Sequence, residues 1–173
     1  MKSSVRSMAL AAMMTALLSL AAQIAVPVGM TKMTMQTFAA ALAGFLLGRR
    51  TALMAVGAYL LLGACGLPVF SGFSGGIGVM MGPTGGFLIG FLPMAALCAG
   101  SHGRKRAVRL GMGAAGLMAM SLMGAAGMAL SAGFGFGQAM LTGVVPFLWK
   151  DILSVWGAEY LAGQIRRRLS GMF

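Results

Sequence analysis

Asp151 and Glu159 are the only acids in the chain, and both fall in its last long apolar segment. An ionised carboxylate at bilayer depth costs about 2.5–3.5 kcal/mol on insertion scales, so each needs a cation, a hydrogen-bond donor or a polar cavity. Asp151 follows Pro146 and Phe147 near the outer end of its segment. There it can face a cavity and accept a hydrogen bond from a ligand, or form a structural pair with Lys150. Glu159 lies nearer the inner end and suits a cytoplasmic arginine. Lys150, Asp151 and Ser154 stand at helical three- and four-residue spacings and so form one polar stripe. An anion, a cation and a hydroxyl together can hold a ligand that combines amide-like N–H donors with a carboxylate. Lys150 has a competing use, snorkelling to headgroups.

Other polar groups cluster towards the same mouth. The segment TKMTMQTF brings Lys32, Thr34 and Gln36, and an amide such as Gln36 both donates and accepts. The uncharged stretch PVFSGFSGGIGVMMG offers Ser71 and Ser74, with Phe70 and Phe73 as flat apolar walls. Glycine density of this kind lets backbone approach a ligand and lets a loop move. Three kinds of chemistry find no support. GPTGG lacks the lysine of a nucleotide-binding loop, so energy for concentrating a solute must come from another subunit. His102 is the only histidine, and no nucleophile–base pair or metal-ligand set stands out, so neither catalysis nor a cofactor is expected. Cys65 and Cys98 fall towards opposite ends of successive helices, too far apart for a disulfide.

The elements that must position these groups are membrane helices. The 173 residues are 59% hydrophobic and 9% charged, whereas soluble domains carry about 25% charged residues. The net charge of +11 does not indicate nucleic acid, because the cations form short clusters between apolar runs with few aromatics interleaved. Six spanning helices are expected over residues 7–26, 35–48, 52–67, 83–100, 108–131 and 146–164, in an all-α integral membrane protein with glycine-rich outer loops and a single domain over 1–173. The start is like a signal peptide, but apolar segments continue behind it, so it reads as the first span. On this layout 11 of the 13 basic residues share one side, including Lys2, Arg49, Arg50, Arg104 and Arg166, and only Lys32 and Lys150 lie on the other. Positive loops stay inside, so both termini are expected in the cytoplasm. Ala12 and Ala16 make a small-residue face on the first helix, of the kind that admits a close neighbour. A channel would place polar residues through the full membrane depth, and here they gather at one mouth.

TKMTMQTF, AGFLLGRR, YLLLGACGLPVFSGFSGGIGVMMGPTGGFLIGF and PFLWKDIL occur in the order seen in the BioY family, the biotin-specific S components of energy-coupling factor (ECF) transporters, and most of the chain resembles that family. The resemblance implies a six-helix S-component fold that captures biotin from outside. It also implies a transmembrane T component and two cytoplasmic ATPases as partners, with Ala12 and Ala16 on the face that meets the T component. The family's last-helix pattern PF-x-x-x-D-x-x-K is matched at Pro146, Phe147 and Asp151. Its lysine position holds Ser154, and the nearest cation is Lys150. The aromatic after GPTGG is Phe87, which packs but donates no hydrogen bond. On this reading Asp151 accepts a ureido N–H, and Ser71, Ser74 or Gln36 completes the ureido bonding. Phe70 and Phe73 pack the rings, and Lys32 or Lys150 meets the carboxylate. The Ser154 departure leaves another small vitamin or precursor as the alternative substrate.

Overall fold

A computed structural model describes residues 2–28, 31–133 and 135–168. The chain runs α1 (Lys2–Gln23), a hairpin of β1 (Ala25–Val28) and β2 (Thr31–Thr34), α2 (Gln36–Leu46), α3 (Arg49–Ala64), α4 (Ile77–Met81), α5 (Gly85–Ala99), α6 (Arg106–Ala132), α7 (Phe136–Gly143), a 3-10 turn (Val145–Phe147) and α8 (Leu148–Arg168). Phe134 of the second glycine-rich loop and the tail 169–173, both within the expected single domain, lie outside the described residues, as does the side chain of Lys2.

The hairpin corrects the all-helical expectation. The first helix was expected to reach residue 26, but it stops at Gln23 and the chain turns extended. Pro27 drives Val26 out of the α region, and the β-branched residues around it favour a strand. The strands are antiparallel, with Ala25 opposite Thr34, Val26 opposite Met33 and Pro27 opposite Lys32. Short helices also form inside both glycine-rich loops, as α4 and α7.

Three stretches are long and apolar enough to cross a membrane: Val5–Gln23, Arg106–Ala132 and Phe136–Arg168, the last containing α7 and α8. The helices α2, α3 and α5 have 11, 16 and 15 residues, short of the ~20 a span needs. Their brevity fits their surroundings. Almost every residue of α2 is buried, and α2 packs against α8, α5 and α1, so protein forms most of its solvent. The exposed surface is made instead by apolar side chains such as Met13, Leu20, Leu130 and Leu153. Water could not stabilise that surface, and lipid can.

Glycine governs the tightest seam, between α5 and α6. A Cβ at Gly86 would lie 2.2 Å from the Met123 carbonyl oxygen, and one at Gly90 would lie 2.8 Å from Met120 Cα. The two backbones touch because these positions lack side chains, as in small-residue membrane interfaces. Gly116 and Gly127 of α6 also pack closely on α5. Gly133 ends α6 in the left-handed conformation, with φ 69°, which only glycine adopts without cost.

At one end of the bundle, side chains close the C-terminus of α2. His102, in the turn between α5 and α6, points Nε2 at the Gly44 and Phe45 carbonyls, at 3.1 and 3.0 Å. Arg166 of α8 donates to the Leu46 carbonyl at 3.2 Å. Last-turn carbonyls have no partner within a helix, and these two side chains supply donors. Burial, reinforced by the positive field of Arg166, holds the His102 imidazole below its ordinary pKa. Glu159 is buried beside the same end, 2% exposed, and accepts from Arg106 Nε at 3.1 Å and Arg109 Nε at 3.0 Å. The arginine partner expected for Glu159 is therefore a pair of arginines at the start of α6.

Candidate functional site

The opposite end encloses a cavity of about 260 Å³. Its walls come from nearly every element: Lys32 and Thr34 of the hairpin, Gln36 and Thr37 of α2, and Phe70, Ser71 and Ser74 of the loop after α3. Phe87, Leu88 and Phe91 of α5 and Met120 of α6 make an apolar floor, and Phe147 of the 3-10 turn flanks it with Lys150 and Asp151 from the start of α8. The size suits a small molecule and the lining is apolar with a few convergent polar groups, the usual make-up of a ligand pocket.

Asp151 is 7% exposed, and Lys150 forms an ion pair with its Oδ1. Lys150 Nζ also donates to the Thr34 carbonyl at 2.8 Å, so it turns inward and does not snorkel. Asp151 pairs with Lys150 and also lines the cavity. Lys150 already meets Asp151 Oδ1, whereas Ser71 Oγ is buried with no hydrogen-bond partner among the described residues. Unpaired buried polar atoms are costly, and a ligand with complementary groups removes that cost. Two ammoniums, Lys32 and Lys150, stand against one carboxylate around the cavity. The balance favours a ligand carrying a single negative charge.

The loop 65–76 is shaped by a set of ties. Phe70 N donates to the Ser74 carbonyl at 2.9 Å and Gly76 N to the Gly63 carbonyl at 2.6 Å. Lys32 Nζ and Ser74 Oγ both donate to the Ser71 carbonyl, at 3.1 and 3.0 Å. Gln23, the last residue of α1, clasps the loop from the other side: its Nε2 donates to the Phe70 carbonyl at 3.1 Å and its Oε1 accepts from Phe73 N at 2.9 Å. The Phe70 ring is 1% exposed and meets Tyr59 edge-on, with centroids 5.4 Å apart. Tyr59 in turn accepts a hydrogen bond from Gln36 Nε2, and Thr34 Oγ1 donates to Gln36 Oε1 at 2.8 Å. Gln36 lies at the cavity wall with both ends of its amide already engaged.

Two residues expected at the site lie outside the cavity wall. Phe73 is 73% exposed, adopts φ 54° and is not part of the cavity wall. The tie from its amide to Gln23 fixes the backbone and turns the ring away. Ser154 is buried one turn beyond Asp151 but does not line the cavity either, so the polar stripe ends at Asp151. Lys32, Gln36, Phe70, Ser71, Ser74, Lys150 and Asp151 are all brought together. Gln23, Tyr59, Thr37 and Phe147 were not anticipated. A hint existed for two of them, since Thr37 and Phe147 lie inside TKMTMQTF and PFLWKDIL. Gln23 and Tyr59 act only through long-range contacts, which carry no local signal. Ala12 and Ala16 lie far from this chemistry in role, on the exposed side of α1, while Ala11, Thr15 and Leu18 face inward.

A mostly helical chain with an apolar surface and a partly open, amphipathic cavity at one end is shaped to hold a small solute. Residues 1–171 match the BioY family profile, and the chain belongs to that family. It is 40% identical to a probable biotin transporter BioY of Pyrococcus horikoshii, over 93% of this chain and 96% of that one. It is 34% identical to a biotin transporter BioY of Thermotoga maritima, over 94% and 96%. The fold matches the crystal structure of the S-component for biotin from an ECF-type ABC transporter with a TM-score of 0.88, covering 96% of this chain and 93% of that chain at 22% identity. The family is one of transport proteins, not enzymes.

Proposed function

We propose that this chain is the substrate-specific component of an ECF transporter and captures biotin for uptake across the bacterial cytoplasmic membrane. One observation carries the reading within the family: a buried carboxylate and an unpartnered hydroxyl, Asp151 and Ser71, converge on a cavity whose other walls are aromatic. Biotin presents matching groups. Its ureido N–H donates to Asp151, and Ser71 Oγ–H donates to the ureido oxygen. The thioether ring packs on Phe70, Phe87, Phe91 and Phe147. The valerate carboxylate reaches Lys32, which is exposed at the mouth, while Lys150 stays inside to balance Asp151.

On this proposal residues 1–173 form one substrate-binding membrane domain, with α1, α2, α3, α5, α6 and α8 as its six crossings. The hairpin and the loops complete the depth that the shorter helices do not reach. The cavity faces outward and the arginine-rich end faces the cytoplasm with both termini, as the positive-inside bias favours. The exposed Ala12 and Ala16 offer a flat face to a transmembrane T component, and cytoplasmic ATPase subunits supply the energy. Equilibrium titration of the detergent-purified chain with biotin tests the core of the proposal. Saturable one-to-one binding is expected, and a folded chain that shows no saturable binding of biotin while binding another vitamin would overturn it.

A further inference from the structure

A second cavity, of about 200 Å³, lies at the end away from the biotin site, between the start of α6 and the end of α8. We infer that it holds the phosphate of an anionic phospholipid headgroup. From Asp151 to Gly163 along α8 the rise is roughly 18 Å, which puts this cavity near the opposite membrane surface. Arg106, Arg109 and Arg167 line it against one acid, Glu159, so positive charge is in excess.

Glu159 does not exhaust these donors. It takes only Nε from Arg106, and Nε with Nη2 from Arg109. Arg167 is exposed and makes no hydrogen bond or ion pair among the described residues. The remaining guanidinium N–H groups form forks of the kind that grip two phosphate oxygens at once. Glu159 then acts as a positioning residue, holding Arg106 and Arg109 at the rim. Tyr160 also lines the cavity; its hydroxyl accepts from Gln164 Nε2 at 3.0 Å and keeps its own proton to donate.

An independent feature points to a lipid in place of a free anion. Tyr160 stacks on Trp156, with centroids 6.1 Å apart, and Leu153, Trp156 and Tyr160 make one exposed apolar stripe along α8. The stripe runs from the cavity towards the membrane centre, so headgroup and acyl chain meet one continuous surface. Tyr160, beside the cavity, suits the headgroup boundary. Basic cavities between membrane helices are suited to anionic headgroups for the same electrostatic reason.

The test is native mass spectrometry of the full-length, delipidated chain with dioleoyl phosphatidylglycerol and dioleoyl phosphatidylcholine. Preferential retention of one phosphatidylglycerol is expected. Arg167→Gln should lower that retention by about fivefold, with the exposed Arg49→Gln changing it less than about twofold. Unchanged biotin titration in each variant verifies folding. Equal retention of the two lipids, or equal loss in both variants, overturns the inference. Displacement by inorganic phosphate or glycerol 3-phosphate at equal concentration makes the ligand a free anion and also overturns it. So does an Arg167→Gln variant that keeps its lipid but no longer co-purifies with a protein partner.

Discussion

Lys150 Nζ reaches back to the Thr34 carbonyl at 2.8 Å while its ammonium pairs with Asp151. One lysine therefore ties the foot of the hairpin to the head of α8 and neutralises the cavity's carboxylate. The entry wall and the binding group are coupled through a single side chain.

That coupling gives a double-mutant prediction. Asp151→Asn should weaken biotin binding tenfold or more, since a charge-assisted hydrogen bond is worth about 1.5–3 kcal/mol. Lys150→Met alone leaves a buried carboxylate unpaired and should cost roughly 3 kcal/mol of stability. The combination Lys150→Met with Asp151→Asn should be more stable than Lys150→Met alone. Thermal denaturation in detergent reads the stability and biotin titration the affinity; additive effects would show that the pair is not coupled.

Gly63→Ala reverses an ordinary sign. Alanine in place of an interior helical glycine normally stabilises by about 1 kcal/mol. Here the added Cβ would fall 2.0 Å from Cζ of Phe70. The ring must leave its place against Tyr59, and the loop carrying Ser71 moves with it. Lower melting temperature and weaker biotin binding are expected together, and a stabilised variant with full affinity would contradict this account of the loop.

Ser154→Ala provides a control on the site boundary. The side chain does not line the cavity, so biotin affinity should stay within about twofold, less than a typical ~1 kcal/mol hydrogen bond would give. A tenfold loss by titration would restore Ser154 to the ligand contacts.

Acid should loosen the arginine-rich end through His102. Its pKa is lowered in the folded protein by burial and by Arg166, so the unfolded chain takes up the proton first. Its contribution to stability is therefore complete above the ordinary value of about 6.5 and is lost as pH falls below it. Melting temperature should drop between about pH 7 and pH 5, and His102→Gln should remove part of that slope. An identical slope in the variant would assign the acid sensitivity to other groups.

Much of the site was legible because membrane sequences are sparing with polarity. With two acids in the chain, Asp151 could hardly be anything but a paired or ligand-facing group, and Glu159 had arginines within reach. Lys32, Gln36 and Ser71 were visible as polar residues beside uncharged, glycine-rich sequence. Phe73 and Ser154 fall outside the cavity for opposite reasons. Phe73 has the same composition cue as Phe70, and only the Gln23 tie and a left-handed backbone turn it outward. Ser154 shares a helical face with Asp151, but the cavity closes before the next turn is reached. The hairpin was hidden because four-residue strands around a proline resemble any loop in a helix-rich chain.

The sequence by itself determined the solvent, the charge asymmetry between the two ends and the scarcity of groups able to do chemistry, because each follows from residue type and linear spacing. The tertiary structure alone decided which of those groups meet. Gln23 reaches Phe73, Tyr59 reaches Gln36 and Thr34 reaches Lys150 across long separations in the chain. Such contacts depend on how glycine-tight helices stack and on where a buried amide or ammonium finds its partner, and no local pattern encodes either.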